Sequence, residues 1–244
     1  MFPEICTIGP FTLYSFGLML VLAFLVSASL ASIEAKREKI DPDVIFNVCF
    51  VGFIFGVLGS RIFYVIANFK FYLNNPLEIF MLNHGGMAWF GGLILGSFAS
   101  VIYIKKKKLS LLKILDLIAP FIALAQAIGR IGCLLNGCCY GKVGFGFGIY
   151  FKVHDAVLIP TQLYSSLALL LIYFILRFLQ NKPHKTGLIF FVYLLLYSVK
   201  RFSIEFLRDD NARIISGLTL FQLLSIAVFC IAIAGIIIKW KNTR

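Results

Sequence analysis

Two groups of polar residues sit where an otherwise apolar chain should not carry them. Tyr197, Arg201, Glu205 and Arg208 follow one another at spacings of 4, 4 and 3. At roughly 100° per residue, a helix places all four within about 80° of arc, a single polar stripe. Arg201 and Glu205 are an i,i+4 pair, as are Tyr197 and Arg201. Two arginines against one glutamate leave a positive surplus, the makings of an anion-binding wall; the plainer reading is a structural ion pair near a helix end. Lys200 is adjacent but falls on another side of the helix and reads as a snorkelling lysine. The second group lies in IALAQAIGRIGCLLNGCCYG, where Gln126, Arg130 and Cys133 share a face and Asn136 and Gly137 follow. A guanidinium matches phosphate oxygens in pairs, so Arg130 beside Asn136, Gly137 and Gly141 suits a lipid phosphate. Packing glycines plus one snorkelling arginine are the plainer reading.

Weaker candidates lie elsewhere. Gly85 and Gly86 open NHGGMAWFGGLILG, where backbone amides could approach a ligand or a neighbouring helix. Arg61 follows Gly59-Ser60 and is a further candidate phosphate contact. PTQLY places Gln162 and Tyr164 at the mouth of another apolar stretch. Of the six cysteines, Cys49 and Cys230 fall within apolar runs and read as small fillers. Adjacent Cys138 and Cys139 do not readily bond each other, and a bridge from Cys133 to Cys138 or to Cys6 is the disulfide alternative. No CxxC or histidine-bearing zinc spacing appears, so neither a metal nor a cofactor is expected.

The elements that position these residues follow from composition. The 244 residues are 60% hydrophobic and only 14% charged, with a formal net charge of +12 and a mean hydropathy of +0.93. A soluble domain carries about 25% charged residues, so a water-soluble nucleic-acid binder is excluded despite the basic balance. Seven apolar stretches of about 20 residues, the length that crosses ~30 Å of hydrocarbon, predict an all-α polytopic membrane protein: Pro10–Ser32, Val44–Asn68, Gly85–Ile104, Ile114–Leu135, Pro160–Leu179, Gly187–Phe206 and Leu218–Ile238. Fourteen of the 23 basic residues, Lys105 to Lys108 among them, fall in loops on one side, and five fall on the other. The positive-inside rule then places the N-terminus outside and the C-terminus in the cytoplasm. The remaining four, Arg61, Arg130, Lys200 and Arg201, lie inside or at the ends of spans. There a central charge costs about 2.5–3.5 kcal/mol on insertion scales and marks a candidate site. With no internal repeat, one membrane domain over 1–244 with an outer loop segment at about 136–159 is the economical reading.

The chain resembles the prolipoprotein diacylglyceryl transferase family along nearly its whole length. The resemblance rests on IGPFTLYSFGLM, GSRIFYV, HGGMAWFGGLILG, LDLIAPFIALAQAIGRIGCLLNGCCYGK, PTQLY and KRFSIEFLR, the fourth-span block being the most specific. It implies transfer of the diacylglyceryl group of phosphatidylglycerol to the lipobox cysteine thiol of a prolipoprotein at the outer leaflet of the bacterial inner membrane. A thioether forms and glycerol phosphate leaves. The implied partners are phosphatidylglycerol, prolipoprotein signal peptides and the bilayer, with no nucleic acid. Arg130 and Arg201 match the family's essential arginines, Glu205 would position Arg201, and Tyr197, Asn136 and Gly141 match the remaining constellation. Arg61, Gly85, Gly86, Gln162, Tyr164 and Arg208 would complete the substrate-binding set.

The departures fall on the thiol-activating side. Phe90 stands where the family usually has a histidine, and Phe16 where it has a tyrosine; Cys133 replaces an asparagine, Cys138 a glutamate, and Ile159 another histidine. His84, six residues before Phe90, is the candidate substitute base, beside its plainer reading as an interfacial loop histidine. Two alternatives stay open: a related phospholipid-dependent transferase with a different acceptor, and a non-catalytic lipid-binding membrane protein.

Overall fold

The computed structural model describes residues 2–8, 11–81, 85–144, 148–208, 211–215 and 217–241. The chain begins with a hairpin, β1 (Glu4–Ile8) and β2 (Phe11–Tyr14), and runs into α1 (Ser15–Arg37), α2 (Pro42–Ala67) and the short α3 (Phe69–Asn74). After a 3-10 turn at Pro76–Phe80 come α4 (Trp89–Lys106) and α5 (Leu111–Asn136), then the hairpin of β3 (Ile149–Phe151) and β4 (Ala156–Leu158). The last elements are α6 (Thr161–Gln180), α7 (Leu188–Glu205), the hairpin of β5 (Arg213–Ile215) and β6 (Leu218–Thr219), and α8 (Leu220–Lys241).

Seven helices of 18 residues or more therefore stand at the seven apolar stretches. Five of them, all but α4 and α7, are long and apolar enough to cross a membrane. In α7 three of the 18 residues, Lys200, Arg201 and Glu205, are charged. The expected start of the first span at Pro10 moves to Ser15, because Phe11–Tyr14 pair with Glu4–Ile8 as a strand. The expected loop at 136–159 contains an antiparallel hairpin in the register Ile149↔Leu158. Among the described residues, three such two-stranded hairpins are added to the all-helical expectation.

The distribution of side chains in α6 has the membrane sense. It turns Leu167, Leu171, Phe174 and Phe178 outward, each more than 60% exposed, and buries Thr161, Gln162, Ser165 and Ser166. A helix in water does the reverse; exposing a leucine–phenylalanine stripe costs nothing where the surrounding solvent is hydrocarbon.

Contacts divide the chain into two compact units, Met1–Ser27 with Leu115–Arg244, and Ala28–Ile114. In the second unit α2 and α4 meet along glycines. A Cβ on Gly59 would lie 2.4 Å from the Gly91 carbonyl oxygen, and one on Gly96 would lie 2.7 Å from that of Gly52. Small residues at these positions let the two backbones touch, as membrane helices require when hydrophobicity does not drive their association. In the first unit Ala119, Ala123, Ile172, Leu176, Ile189 and Tyr193 form the core shared by α5, α6 and α7. Asp116 of α5 accepts the backbone N–H groups of Gly187 and, at 2.8 Å, of Phe190, capping the start of α7 from a neighbouring helix. Ser166 donates to the Ala127 carbonyl at 2.9 Å and ties α6 to α5. These ties fix where the far end of α7 delivers its charges.

Candidate active site

Arg201 and Glu205 lie at the end of α7 and are both buried. Arg201 Nη2 stands 3.1 Å from Glu205 Oε2. The other carboxylate oxygen accepts hydrogen bonds from Thr219 Oγ1 at 2.8 Å and Asn211 Nδ2 at 2.8 Å. The Arg201 guanidinium also lies over the Phe221 ring, 4.3 Å from its centroid. Glu205 is thus anchored from α8's approach strand, and Arg201 is anchored on Glu205. One turn back, Tyr197 packs against Tyr193 at 5.8 Å between centroids. Its ring carries the Lys200 ammonium 4.9 Å from its centroid.

Lys200 overturns its expectation as a snorkelling residue. It is 8% exposed and feels the charges of Arg130, Arg201 and Arg208. A cation–π contact requires only that Lys200 fold back over the Tyr197 ring, a rotamer that helical-wheel spacing does not encode. Arg130 reaches this field from α5 and is half-buried. Among the described residues it makes no hydrogen bond or ion pair with the protein, although Arg201 and Lys200 both feel its charge. Arg130, Lys200, Arg201 and Arg208 therefore share one field, in which Glu205 pairs with Arg201. Like charges held this close carry a cost, and a bound anion relieves it.

The loop after α5 completes this side. Gly141 pairs with Arg208 in an isolated bridge, and its N–H donates to the Ile159 carbonyl at 2.9 Å. A Cβ there would lie 2.6 Å from the Leu207 carbonyl oxygen and 2.8 Å from Thr161 Cγ2. Only glycine lets the loop, the end of α7 and the start of α6 cross at this point. Gln162, 1% exposed, donates through Nε2 to the Cys138 carbonyl at 2.7 Å. Tyr164 is exposed at the helix mouth. Asn136 hydrogen-bonds the Cys138 side chain.

The sequence offered a Cys133–Cys138 bridge as an alternative, but not a meeting of the three thiols of Cys133, Cys138 and Cys139. All six cysteines are free, and these three Sγ atoms lie within 4.8 Å of one another. Hydrogen bonds from the Cys133 and then the Cys138 thiol hold the Cys139 thiol well below the usual thiol range, and Arg130 and Arg208 add to this. The signal that could have found the cluster is the left-handed backbone at Cys139, φ 63°, which turns one of two adjacent cysteines back toward the other.

Arg61, Gly85 and Gly86 form a group of their own. Arg61, 5% exposed, belongs to the other unit and donates to five backbone carbonyls. Nε reaches Ile79 at 3.1 Å, Nη1 reaches Gly85 and, at 3.1 Å, Gly86, and Nη2 reaches Glu78 and, at 3.0 Å, Met81. A guanidinium has five N–H groups, so all are engaged. Gly85 and Gly86 have φ of 77° and 79° and present their carbonyls to this cage. A Cβ on Gly86 would lie 2.9 Å from Arg61 Nη1. His84 lies outside the described residues.

Comparison with known proteins identifies the family. A family model described as prolipoprotein diacylglyceryl transferase matches residues 3–238. The phosphatidylglycerol–prolipoprotein diacylglyceryl transferase of Clostridium tetani is 38% identical over 227 residues, covering 91% of each chain. The enzyme of the same name from Clostridium kluyveri is 36% identical over 225 residues and 88% of each chain. That of Enterococcus faecalis is 33% identical over 242 residues, 94% of this chain and 87% of its own. The near-complete family match and relatives at 33–38% identity over most of each chain make this chain a member of the prolipoprotein diacylglyceryl transferase family.

Proposed function

We propose that this chain transfers the diacylglyceryl group of phosphatidylglycerol to the cysteine thiol of a prolipoprotein, forming a thioether and releasing glycerol phosphate. The observation that carries this reading is Arg130, a half-buried guanidinium with no hydrogen bond or ion pair among the described residues, set in the field of Arg201 and Lys200. A phosphodiester placed between Arg130 and Arg201 receives planar donors from two helices. Negative charge grows on its oxygen as the glyceryl carbon–oxygen bond breaks, so donors fixed in advance stabilise the transition state more than the bound lipid. Glu205 keeps Arg201 aimed; Lys200 and Arg208 add positive potential, and Tyr197 holds Lys200 in place. Gly141, Asn136 and Gln162 shape the loop beside the phosphate, and Tyr164 stands at its mouth. Arg61 acts by gathering the carbonyls of residues 78, 79, 81, 85 and 86, those of Gly85 and Gly86 among them, and not by touching phosphate.

In this reading the seven long helices span the bacterial cytoplasmic membrane as one catalytic domain. The N-terminus is outside, the C-terminus is inside, and the site faces the outer leaflet, where exported signal peptides present their cysteine. The test uses protein reconstituted with labelled phosphatidylglycerol and a lipobox peptide. Label on the peptide cysteine is the expected result. Glycerol phosphate release without peptide labelling would assign a different acceptor, and neither product would leave lipid binding alone.

A further inference from the structure

The transfer proposed above needs an acceptor thiolate. A free cysteine is mostly protonated at neutral pH. Glu205, the carboxylate beside Arg201, is already shared among Arg201, Thr219 and Asn211. The chemistry at hand is instead sulfur. Cys133 comes from the last turn of α5, and Cys138 and Cys139 from the loop behind it, so that their three Sγ atoms lie within 4.8 Å of one another and are half-buried. Adjacent cysteines normally point apart. Here Gly137 (φ 74°) and Cys139 (φ 63°) both take the left-handed conformation, which at a non-glycine residue is strain that the surroundings must hold.

The surroundings do hold it. The carbonyls of residues 137, 138 and 139 are each clamped by a different side chain: His154 Nε2 at 2.9 Å on Gly137, Gln162 Nε2 at 2.7 Å on Cys138, and Thr161 Oγ1 at 2.7 Å on Cys139. The sulfurs have partners of their own, the Asn136 side chain on Cys138 and the charges of Arg130 and Arg208 on Cys139. Amide donors to sulfur and nearby cations are what a multi-thiolate metal centre uses to orient its ligands and balance their charge. A metal–sulfur bond of about 2.3 Å sets tetrahedral sulfurs about 3.8 Å apart, so closure asks about an ångström of side-chain movement and none of the backbone.

We propose that Cys133, Cys138 and Cys139 hold a thiophilic divalent cation, zinc(II) in class, in a three-sulfur site whose open fourth position takes the acceptor cysteine as a metal thiolate. Soft thiolate donors select such a cation, three protein ligands leave the position a substrate can fill, and a coordinating thiol loses its proton. This rests on the transferase reading and deepens it by supplying the activated nucleophile. The acceptor S–H bond breaks and its proton passes to water. The metal-held sulfur then forms the bond to the glyceryl carbon as the carbon–oxygen bond to phosphate breaks, the electron pair leaving on glycerol phosphate. The cation keeps its oxidation state throughout.

The test measures metal in the full-length, detergent-purified protein after incubation with zinc(II), and the visible spectrum after replacement by cobalt(II). One zinc per chain is expected in the wild type and in Cys230→Ser, with at least a tenfold loss of occupancy in Cys138→Ser. Should the serine variant fail to insert, Cys138→His, which restores a ligand, is expected to keep the metal. Adding a lipobox peptide is expected to shift the cobalt spectrum, and a peptide with serine at the acceptor position is expected to leave it unchanged. That pattern supports the site even if the wild type transfers no lipid, a result that would sink the transferase reading alone. A wild type that binds no zinc, a disulfide within the cluster seen as the loss of two hydrogens in intact mass, or a spectrum indifferent to the peptide would each overturn it.

Discussion

Arg201 and Glu205 stand one helical turn apart and face each other at 3.1 Å inside the first unit, but the carboxylate is not Arg201's alone. Glu205 Oε1 is bound by Thr219 and Asn211, both at 2.8 Å, so the glutamate is a fixed post on which the arginine is set. Arg130, without such a post among the described residues, is held by α5 alone. The pair and the lone cation have different consequences when removed.

Arg201→Ala and Arg130→Ala are each expected to lower diacylglyceryl transfer by about 10²- to 10³-fold, the usual effect of deleting a transition-state donor. Their effects on stability should diverge. Arg201→Ala strands a buried Glu205 and is expected to cost about 3–5 kcal/mol. Arg130→Ala relieves like-charge repulsion and is expected to leave the unfolding midpoint in detergent unchanged or higher. Equal destabilisation by both would refute the distinction.

Glu205→Gln keeps an oxygen for Thr219 and Asn211 while removing the charge that opposes Arg201. An activity loss of about tenfold is expected, against about a hundredfold for Glu205→Ala. Steady-state kinetics in mixed micelles separates the two, and wild-type turnover in the glutamine variant would end the positioning role.

Arg61→Lys should fail to substitute for arginine. An ammonium has three donors where five carbonyls wait, so at least two are left unpaired, at an expected cost of about 2–4 kcal/mol. Proteolytic nicking of the 78–86 segment reports this. A variant that resists protease as the wild type does, yet loses phosphatidylglycerol binding, would show instead that Arg61 contacts the lipid.

Gly141→Ala puts a methyl group 2.6 Å from the Leu207 carbonyl oxygen, against backbone that cannot swing aside. The crossing of the loop, α6 and α7 must shift, and with it Arg208 and the cysteine loop. A fall of about tenfold to a hundredfold in transfer is expected, with a smaller loss in Gly129→Ala, where a Cβ meets nothing within 4 Å.

What the sequence determines by itself is whatever depends on local periodicity or on the solvent. Apolar runs of helix-crossing length predict the seven long helices, and an i,i+4 spacing predicts that Arg201 and Glu205 pair, because helical geometry alone brings such residues together. The motifs also carry the family. Tertiary structure decides what neighbours do. Lys200 lies over the Tyr197 ring because that ring offers a negative face within rotamer reach. Arg61 becomes the hub of a carbonyl cage because the carbonyls of residues 78, 79, 81, 85 and 86 surround it. Phe11–Tyr14 leave the first apolar run because Glu4–Ile8 are present to pair with them. The three thiols meet because the chain enters the left-handed region at Cys139, where side chains from α6 and the β3–β4 hairpin fix the carbonyls around it. Each turns on a rotamer, a backbone pairing or a contact between separated segments, and a spacing rule contains no term for these.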